Sequence, residues 1–237
     1  MAGNHMTLVS SPIIVALDYP GAAQALSLAR QLDPAQCRVK VGKELFTRAG
    51  PKIVDDLHGM GFEIFLDLKF HDIPTTTAKA VISAAELGVW MVNLHASAGS
   101  KAMQLSKRML DEGGFKTKLI GVTVLTSMSE ADLAETGVTL SIADQVSHLA
   151  ALTQKSGLHG VVCSAQEASM LKAELGEGFL KVTPGIRMAS DERSDQTRVC
   201  TPREALEQGA THLVIGRSIT GASNPSAALK LVLESIG

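Results

Sequence analysis

The sequence predicts an α/β protein, a single-domain (β/α)8 barrel of the TIM type, on three observations. Short β-branched or apolar runs alternate with amphipathic stretches eight times along 237 residues, the pattern of βα units around a parallel sheet. The runs are continuously apolar, as strands buried on both faces must be. Polar residues collect where the runs end, which in a barrel is the rim that carries the chemistry. An open doubly wound sheet is the runner-up; strand count favours the barrel, since barrels of this class run to about 250 residues as one unit. No Pro/Gly/Ser-rich linker or low-complexity tract divides the chain, so one domain is expected over residues 6–237. Met1-Ala2-Gly3-Asn4-His5 ahead of Met6 reads as an expression tag.

Taken in order, the expected strands are Ile13 to Asp18, Arg38 to Gly42, Glu63 to Lys69, Met91 to His95, Lys118 to Leu125, Gly160 to Ser164, Leu180 to Thr183 and His212 to Gly216. Between them lie stretches such as Ala22 to Leu32, Thr75 to Leu87 and Ile142 to Ser156, whose apolar positions recur near the 3.6-residue helical period. The first strand ends in Asp18, the second carries Lys40, the third ends in Asp67 and Lys69, and the fourth in Asn93 and His95. The fifth runs into Thr126-Ser127, the seventh into Pro184-Gly185-Ile186-Arg187 and the eighth into Gly216-Arg217. Nearly every strand delivers a polar group to one rim.

Composition narrows the function. Apolar residues make up 45% of the chain, enough for a sizeable core, and 22 basic against 24 acidic residues leave a net charge of -2. That balance gives no electrostatic footprint for nucleic acid or an anionic membrane, so an anionic ligand must be met by a few placed groups. Cys37, Cys163 and Cys200 are odd in number and lack C-x-x-C spacing; neither a disulfide framework nor a zinc site is suggested, and a reducing, cytoplasmic compartment fits. No apolar run approaches the roughly 18 residues that span a bilayer, and no signal-peptide pattern opens the chain.

The most informative segment is Asp67-Leu68-Lys69-Phe70-His71-Asp72, where charge follows the apolar run Ile64-Phe65-Leu66. Strand alternation puts Asp67 and Lys69 on one face, with Asp72 where the chain leaves the sheet. Charges withdrawn from water must be paired or used. An isolated D-x-K would read as a structural ion pair, but Lys40, Asp67, Lys69 and Asp72 alternate in sign and suggest a network holding Lys69 as a proton donor. Gly185-Ile186-Arg187 and Gly216-Arg217-Ser218-Ile219 resemble anion-binding turns after strands seven and eight, where barrels often hold phosphate; Arg217 would add a charged contact. The polar tract from Arg187 to Cys200 reads as a lid or as a plain solvated loop, with Gln196 able to donate and accept. His71 falls out of the Asp67/Lys69 register and reads as a packing residue; His95 approaches the site more closely. No His/Cys pair at ligand spacing marks a metal centre. A magnesium site on Asp67 stays open, though Lys69 beside it would disfavour the cation.

These residues resemble the orotidine 5′-phosphate decarboxylase family of the bacterial type. Asp67-Leu68-Lys69-Phe70-His71-Asp72-Ile73-Pro74-Thr75-Thr76 matches its D-x-K-x-x-D-I-P-x-T signature. Similarity continues through Val15-Ala16-Leu17-Asp18, Val39-Lys40-Val41-Gly42, Val122-Thr123-Val124-Leu125-Thr126-Ser127, Thr183-Pro184-Gly185-Ile186-Arg187 and Val214-Ile215-Gly216-Arg217. The resemblance implies conversion of orotidine monophosphate to uridine monophosphate and carbon dioxide without metal or organic cofactor. It also implies a homodimer in which Asp72 enters the partner's site. Lys69 would protonate C6, Asp67 would sit beside the departing carboxylate, and Lys40 and Asp72 would complete the network. Asp18 and Lys40 would contact the ribose, Thr76 would lie near ribose and phosphate across the interface, and Thr126 at the pyrimidine. Pro184 belongs to the substrate site, and Arg187, Gln196, Gly216 and Arg217 would hold the phosphate.

Overall fold

A computed structural model describes residues 9–188 and 200–237. The residues read as a tag lie outside these, as do Gln196 and nearly all of the tract read as a lid. Eight strands close into a parallel barrel in chain order, which excludes the open sheet. They are β1 (Ile13–Ala16), β2 (Arg38–Gly42), β3 (Ile64–Phe70), β4 (Met91–His95), β5 (Lys118–Val122), β6 (Gly160–Val162), β7 (Leu180–Ile186) and β8 (His212–Ile215). Among the described residues no helix is long and apolar enough to cross a membrane.

The second and fourth strands keep their expected bounds, and the others move at their ends. β5 stops at Val122, three residues short of the expected Leu125, because the chain leaves the ladder while its side chains stay apolar. β1, β6 and β8 are also shorter than expected. β7 instead continues past Pro184-Gly185 to Ile186, with the pairing to β8 shifted between Thr183 and Ile186. The bulge absorbs the proline and glycine that read as a turn. The expected helices form as Ala22–Ala29, Pro74–Glu86 and Ile142–Lys155. Ser141 caps the last of these, and two further helices, Ala165–Leu175 and Pro202–Glu207, open on capping boxes: Ser164 accepts from the Glu167 N–H while Glu167 accepts from the Ser164 N–H, and Thr201 and Glu204 repeat the arrangement.

Apolar side chains fill two layers. The barrel interior is packed by Ile14, Ala16, Phe65, Met91, Ile120, Val182 and Val214, and a larger cluster lies between strands and helices. Gly160 on β6 is required by close approach, since a Cβ there would collide with the Leu180 carbonyl on β7. The barrel floor is closed by a buried ion pair, Arg38 Nε to Glu63 Oε2 at 2.8 Å. Arg38 also donates to the carbonyls of Ser11 (2.8 Å) and Val9 (2.5 Å) and lies 4.1 Å over the Trp90 ring. Trp90 in turn packs on His212 at 5.3 Å between ring centroids. With its donors satisfied and an aromatic face beneath it, the guanidinium is tolerated where an unpaired one would cost several kcal/mol, about 3 to 5.

Burial, then the nearby charges of Arg38 and Lys118, push His212 down to about 4 from its ordinary 6.5. Folded His212 therefore stays neutral while the unfolded chain takes up a proton, so its contribution is full above pH 6.5 and is lost as pH falls towards 4. The expected loss is on the order of 3 kcal/mol by pH 4, at up to ~1.4 kcal/mol per pH unit. His212→Gln should flatten the acid limb by about one proton in a series of urea unfolding curves; an unchanged slope would contradict the assignment.

Candidate active site

Strand parity carries polar side chains from the packed interior to the open rim. Extending the interior-facing set one pleat towards the C-terminal ends gives Asp18, Lys40, Asp67, Asn93, Val122, Pro184 and Gly216. Two cavities meet there. The larger, about 450 Å³, is lined by Asp18, Lys40, Asp67, Pro184, Gly185, Arg187, Gly216, Arg217 and Thr220 among others. The smaller, about 190 Å³, has Lys40, Asp67, Lys69 and Thr126 against an apolar wall of Phe65, Val122, Val124, Val162 and Val182. Lys40, Asp67, Pro184 and Val214 line both, so the carboxylate and ammonium groups stand at the junction of a polar chamber and an apolar one.

Asp67 is the centre of the polar network. Its Oδ1 accepts from Lys69 Nζ at 2.6 Å and from Asn93 Nδ2 at 2.7 Å, and its Oδ2 lies 3.5 Å from Lys40 Nζ. Lys40 Nζ also donates to Asp18 Oδ1 at 2.9 Å. Burial alone would push the Asp67 carboxyl up; the charges of Lys40 and Lys69 and the bonds from Lys69 and Asn93 outweigh it, holding the group below its ordinary range. Gly42 closes β2 beside this network, where a Cβ would sit 3.2 Å from both Asp18 Oδ1 and Lys40 Nζ. Any side chain there would press on the pair.

The third strand reaches this geometry through a bulge rather than by simple alternation. Lys69 has φ 51°, the only non-glycine in the left-handed region among the described residues. Pairing of β3 with β4 shifts between Leu66 and Phe70. The chain then turns out at Asp72, whose N–H donates to Thr77 Oγ1 (3.1 Å) and whose carbonyl accepts from that hydroxyl (2.9 Å). Asp72 Oδ1 accepts from the Ile73 N–H at 2.6 Å, and the residue is exposed. Within one chain the network is therefore Asp18, Lys40, Asp67 and Lys69: Asp18 pairs with Lys40, and Asp72, which the alternation of charge had put beside Lys69, is not part of it. The cause is the Thr77-pinned turn, which carries Asp72 past the rim.

At the other end of the larger cavity, β8 passes through Gly216 into a short helix, Arg217–Thr220. Gly216 faces open space, and the Tyr19 hydroxyl donates to the Thr220 carbonyl at 3.2 Å, tying the loop after β1 to this helix. Arg187 sits across the cavity after β7; its N–H donates to the Cys200 carbonyl at 3.1 Å beside an Ile186–Cys200 bridge. The chain thus leaves and re-enters at one point of the rim.

Of the residues expected from sequence, Asp18, Lys40, Asp67, Lys69, Thr126, Pro184, Arg187, Gly216 and Arg217 line the joined cavities. Asp72 and Thr76 line neither and are exposed. His71 is exposed and packs its ring on His95 at 5.4 Å. Burial first, then His71, Lys43 and Lys69, push His95 down to about 4, so it is neutral near pH 7, and it lines neither cavity. Asn93 was not among the expected site residues; its signal is a polar side chain on the interior parity of an apolar strand.

The chain is similar to known proteins over nearly its whole length. The family model described as orotidine 5′-phosphate decarboxylase / HUMPS family matches residues 11–232. An orotidine 5′-phosphate decarboxylase of Marinomonas sp. is 58% identical over 228 residues, covering 96% of this chain and 97% of the relative. One of Chromohalobacter salexigens is 56% identical over 224 residues, covering 94% and 95%. Among solved structures, orotidine 5′-phosphate decarboxylase from Lactobacillus acidophilus superposes with a TM-score of 0.86 at 39% identity, covering 96% of this chain and 99% of that one. With a family match that spans all eight strands, relatives more than half identical over nearly the full chain and a barrel of the same shape, the chain belongs to the orotidine 5′-phosphate decarboxylase / HUMPS family.

Proposed function

We propose that this protein converts orotidine 5′-monophosphate to uridine 5′-monophosphate and carbon dioxide, the last step of de novo UMP synthesis, in the cytoplasm and without metal or organic cofactor. The observation that carries this reading is the half-buried Asp67–Lys69 pair at the mouth of an apolar chamber, with Arg187 and Arg217 across the adjoining polar one. The near-full-length relatives bear the decarboxylase name, and the three free cysteines suit a reducing compartment.

The substrate phosphate is held by Arg187, Arg217 and the Gly216 turn, with Gln196 as a further contact. Asp18 and Lys40 meet the ribose, and the pyrimidine lies by Thr126 and Pro184 along the valine wall. Its carboxylate then stands beside Asp67. The bond from C6 to the carboxylate breaks, its electron pair stays on C6, and Lys69 delivers a proton there as carbon dioxide departs; solvent returns a proton to Lys69. A fixed ammonium stabilises the carbanion without the reorganisation that water would need. Repulsion between Asp67 and the substrate carboxylate contributes a smaller part. Binding energy from the remote phosphate supports orientation at C6, within the ~8 to 23 kcal/mol span over which enzymes lower barriers.

Asp72 and Thr76 serve the site of a second copy in a homodimer. Their support is exposure: both stand outside their own cavities, next to Ile73, an aliphatic side chain 67% exposed. In that arrangement Asp72 supplies the second carboxylate for the partner's Lys69.

The direct test is loss of orotate-ring absorbance when chelator-treated protein meets orotidine 5′-monophosphate. Turnover supports the reading; no turnover by folded protein would sink it, and activity abolished by the chelator would point to a metal-dependent reaction of a phosphosugar instead. Arg217→Ala should weaken binding of the phosphorylated substrate by a few kcal/mol, ~2 to 4, measured as KM and as product Kd; unchanged affinity contradicts the phosphate role. Lys69→Ala and Asp72→Ala should each be inactive alone and regain part of the wild-type rate when mixed, through hybrid dimers with one intact site. No recovery after proven subunit exchange would remove Asp72 from the partner's site.

A further inference from the structure

We propose that Asn93 is a positioning residue for decarboxylation, holding the Lys69 backbone and one Asp67 oxygen in a single grip. The inference rests on the decarboxylase reading above.

The bulge in β3 creates the need. Leu66 pairs with Val92 and Phe70 with Leu94, so Asp67, Leu68 and Lys69 stand opposite one residue of β4, Asn93. Regular pairing would put one residue there, and the two extra residues leave the ladder without its ordinary bonds. The Asn93 carboxamide takes their place. Its Oδ1 accepts from the Lys69 N–H at 2.8 Å, and its Nδ2 donates to Asp67 Oδ1 at 2.7 Å. The residue is fully buried, so neither half of the amide can turn to water, and each has one partner that only this orientation satisfies.

Two consequences follow for the ammonium. Lys69 stands in a backbone region unfavourable for a residue with a side chain, and the bond to its N–H is the contact that keeps it there. The donor to Asp67 Oδ1 holds the same oxygen that accepts from Lys69 Nζ, so both members of the pair are located by one rigid group. Asparagine suits this position and aspartate does not, because aspartate would keep the acceptor for Lys69 but set a second carboxylate against Asp67. The titratable groups about position 93 are Asp67 and Lys69 on β3, Lys40 beyond Asp67, and the neutral His95 on its own strand; its β5 neighbour is Ile120.

The test uses the full chain and two variants. Wild-type turnover of orotidine 5′-monophosphate checks the decarboxylase reading by itself; the variants are judged against it. Asn93→Ala should lower kcat by ~100-fold, the scale of a misplacement near 1 Å, while KM and the Kd of uridine 5′-monophosphate stay within about threefold, since the phosphate grip is remote. A kcat within about threefold of wild type, or binding lost in step with kcat, would overturn the proposal. Asn93→Asp forms a coupled carboxyl pair with Asp67, and its protonated form restores the missing donor. Its rate relative to wild type should rise as pH falls from 8 to about 5.5, whereas a side chain needed only for packing would give a flat ratio. That ratio decides the matter even if Asn93→Ala fails to fold. A readout independent of turnover is the Asp67 carboxyl titration by carbon-13 NMR, whose midpoint should rise in Asn93→Ala; an unmoved midpoint counts against the grip.

Discussion

The site depends on keeping one carboxylate charged inside a barrel. Asp67 loses most of its hydration, and that loss is the largest influence on it. Two ammonium groups and an amide offset the cost, and each sets a demand elsewhere in the chain. Lys40 must reach inward from β2 and be balanced by Asp18, and a Cβ at Gly42 would press on both. Lys69 must curl back onto Asp67, which β3 accomplishes only by breaking register with β4. Asn93 must replace the bonds so lost. A local electrostatic requirement thus bears on the backbone path of one strand, on the residue choice on two others and on Asp18 just after the first.

The barrel itself was legible because its signals are repetitive. Eight apolar runs with helical stretches between them leave few topologies, and β2 and β4 end where the sequence said they would. Errors gathered where the ligand cavity begins. Thr123, Val124 and Leu125 extend an apolar run, and nothing in their character distinguishes a strand in the ladder from a loop whose Val124 and Leu125 wall a chamber. Pro184-Gly185 reads as a turn by composition, yet a bulge lets β7 continue through it. The site residues were legible through charge: a lysine or aspartate at a strand end has to be explained, so Asp67, Lys69, Lys40 and Arg217 drew notice. Asn93 carries no charge; it reads as a polar group at the rim but with no role in the site. The left-handed Lys69 was equally hidden, because only glycine and asparagine announce that conformation in a sequence.

The two ends of the barrel solve the burial of charge differently. On the floor, each nitrogen of the Arg38 guanidinium donates once, to Glu63 or to a carbonyl, and the Trp90 face lies against it; it lines neither of the two cavities at the rim. At the rim, Lys69 has one carboxylate within its own chain and stands against an open chamber. On the proposed reading, an ammonium with few partners of its own and an open chamber beside it is the one that serves as proton donor. The difference between a structural cation and a reactive one would then lie in how many of its partners the fold leaves out. That is why the turn carrying Asp72 outward matters on the proposed reading: the missing carboxylate comes from a second copy, so the charge balance around Lys69 is completed only on assembly, and the site becomes a property of the dimer.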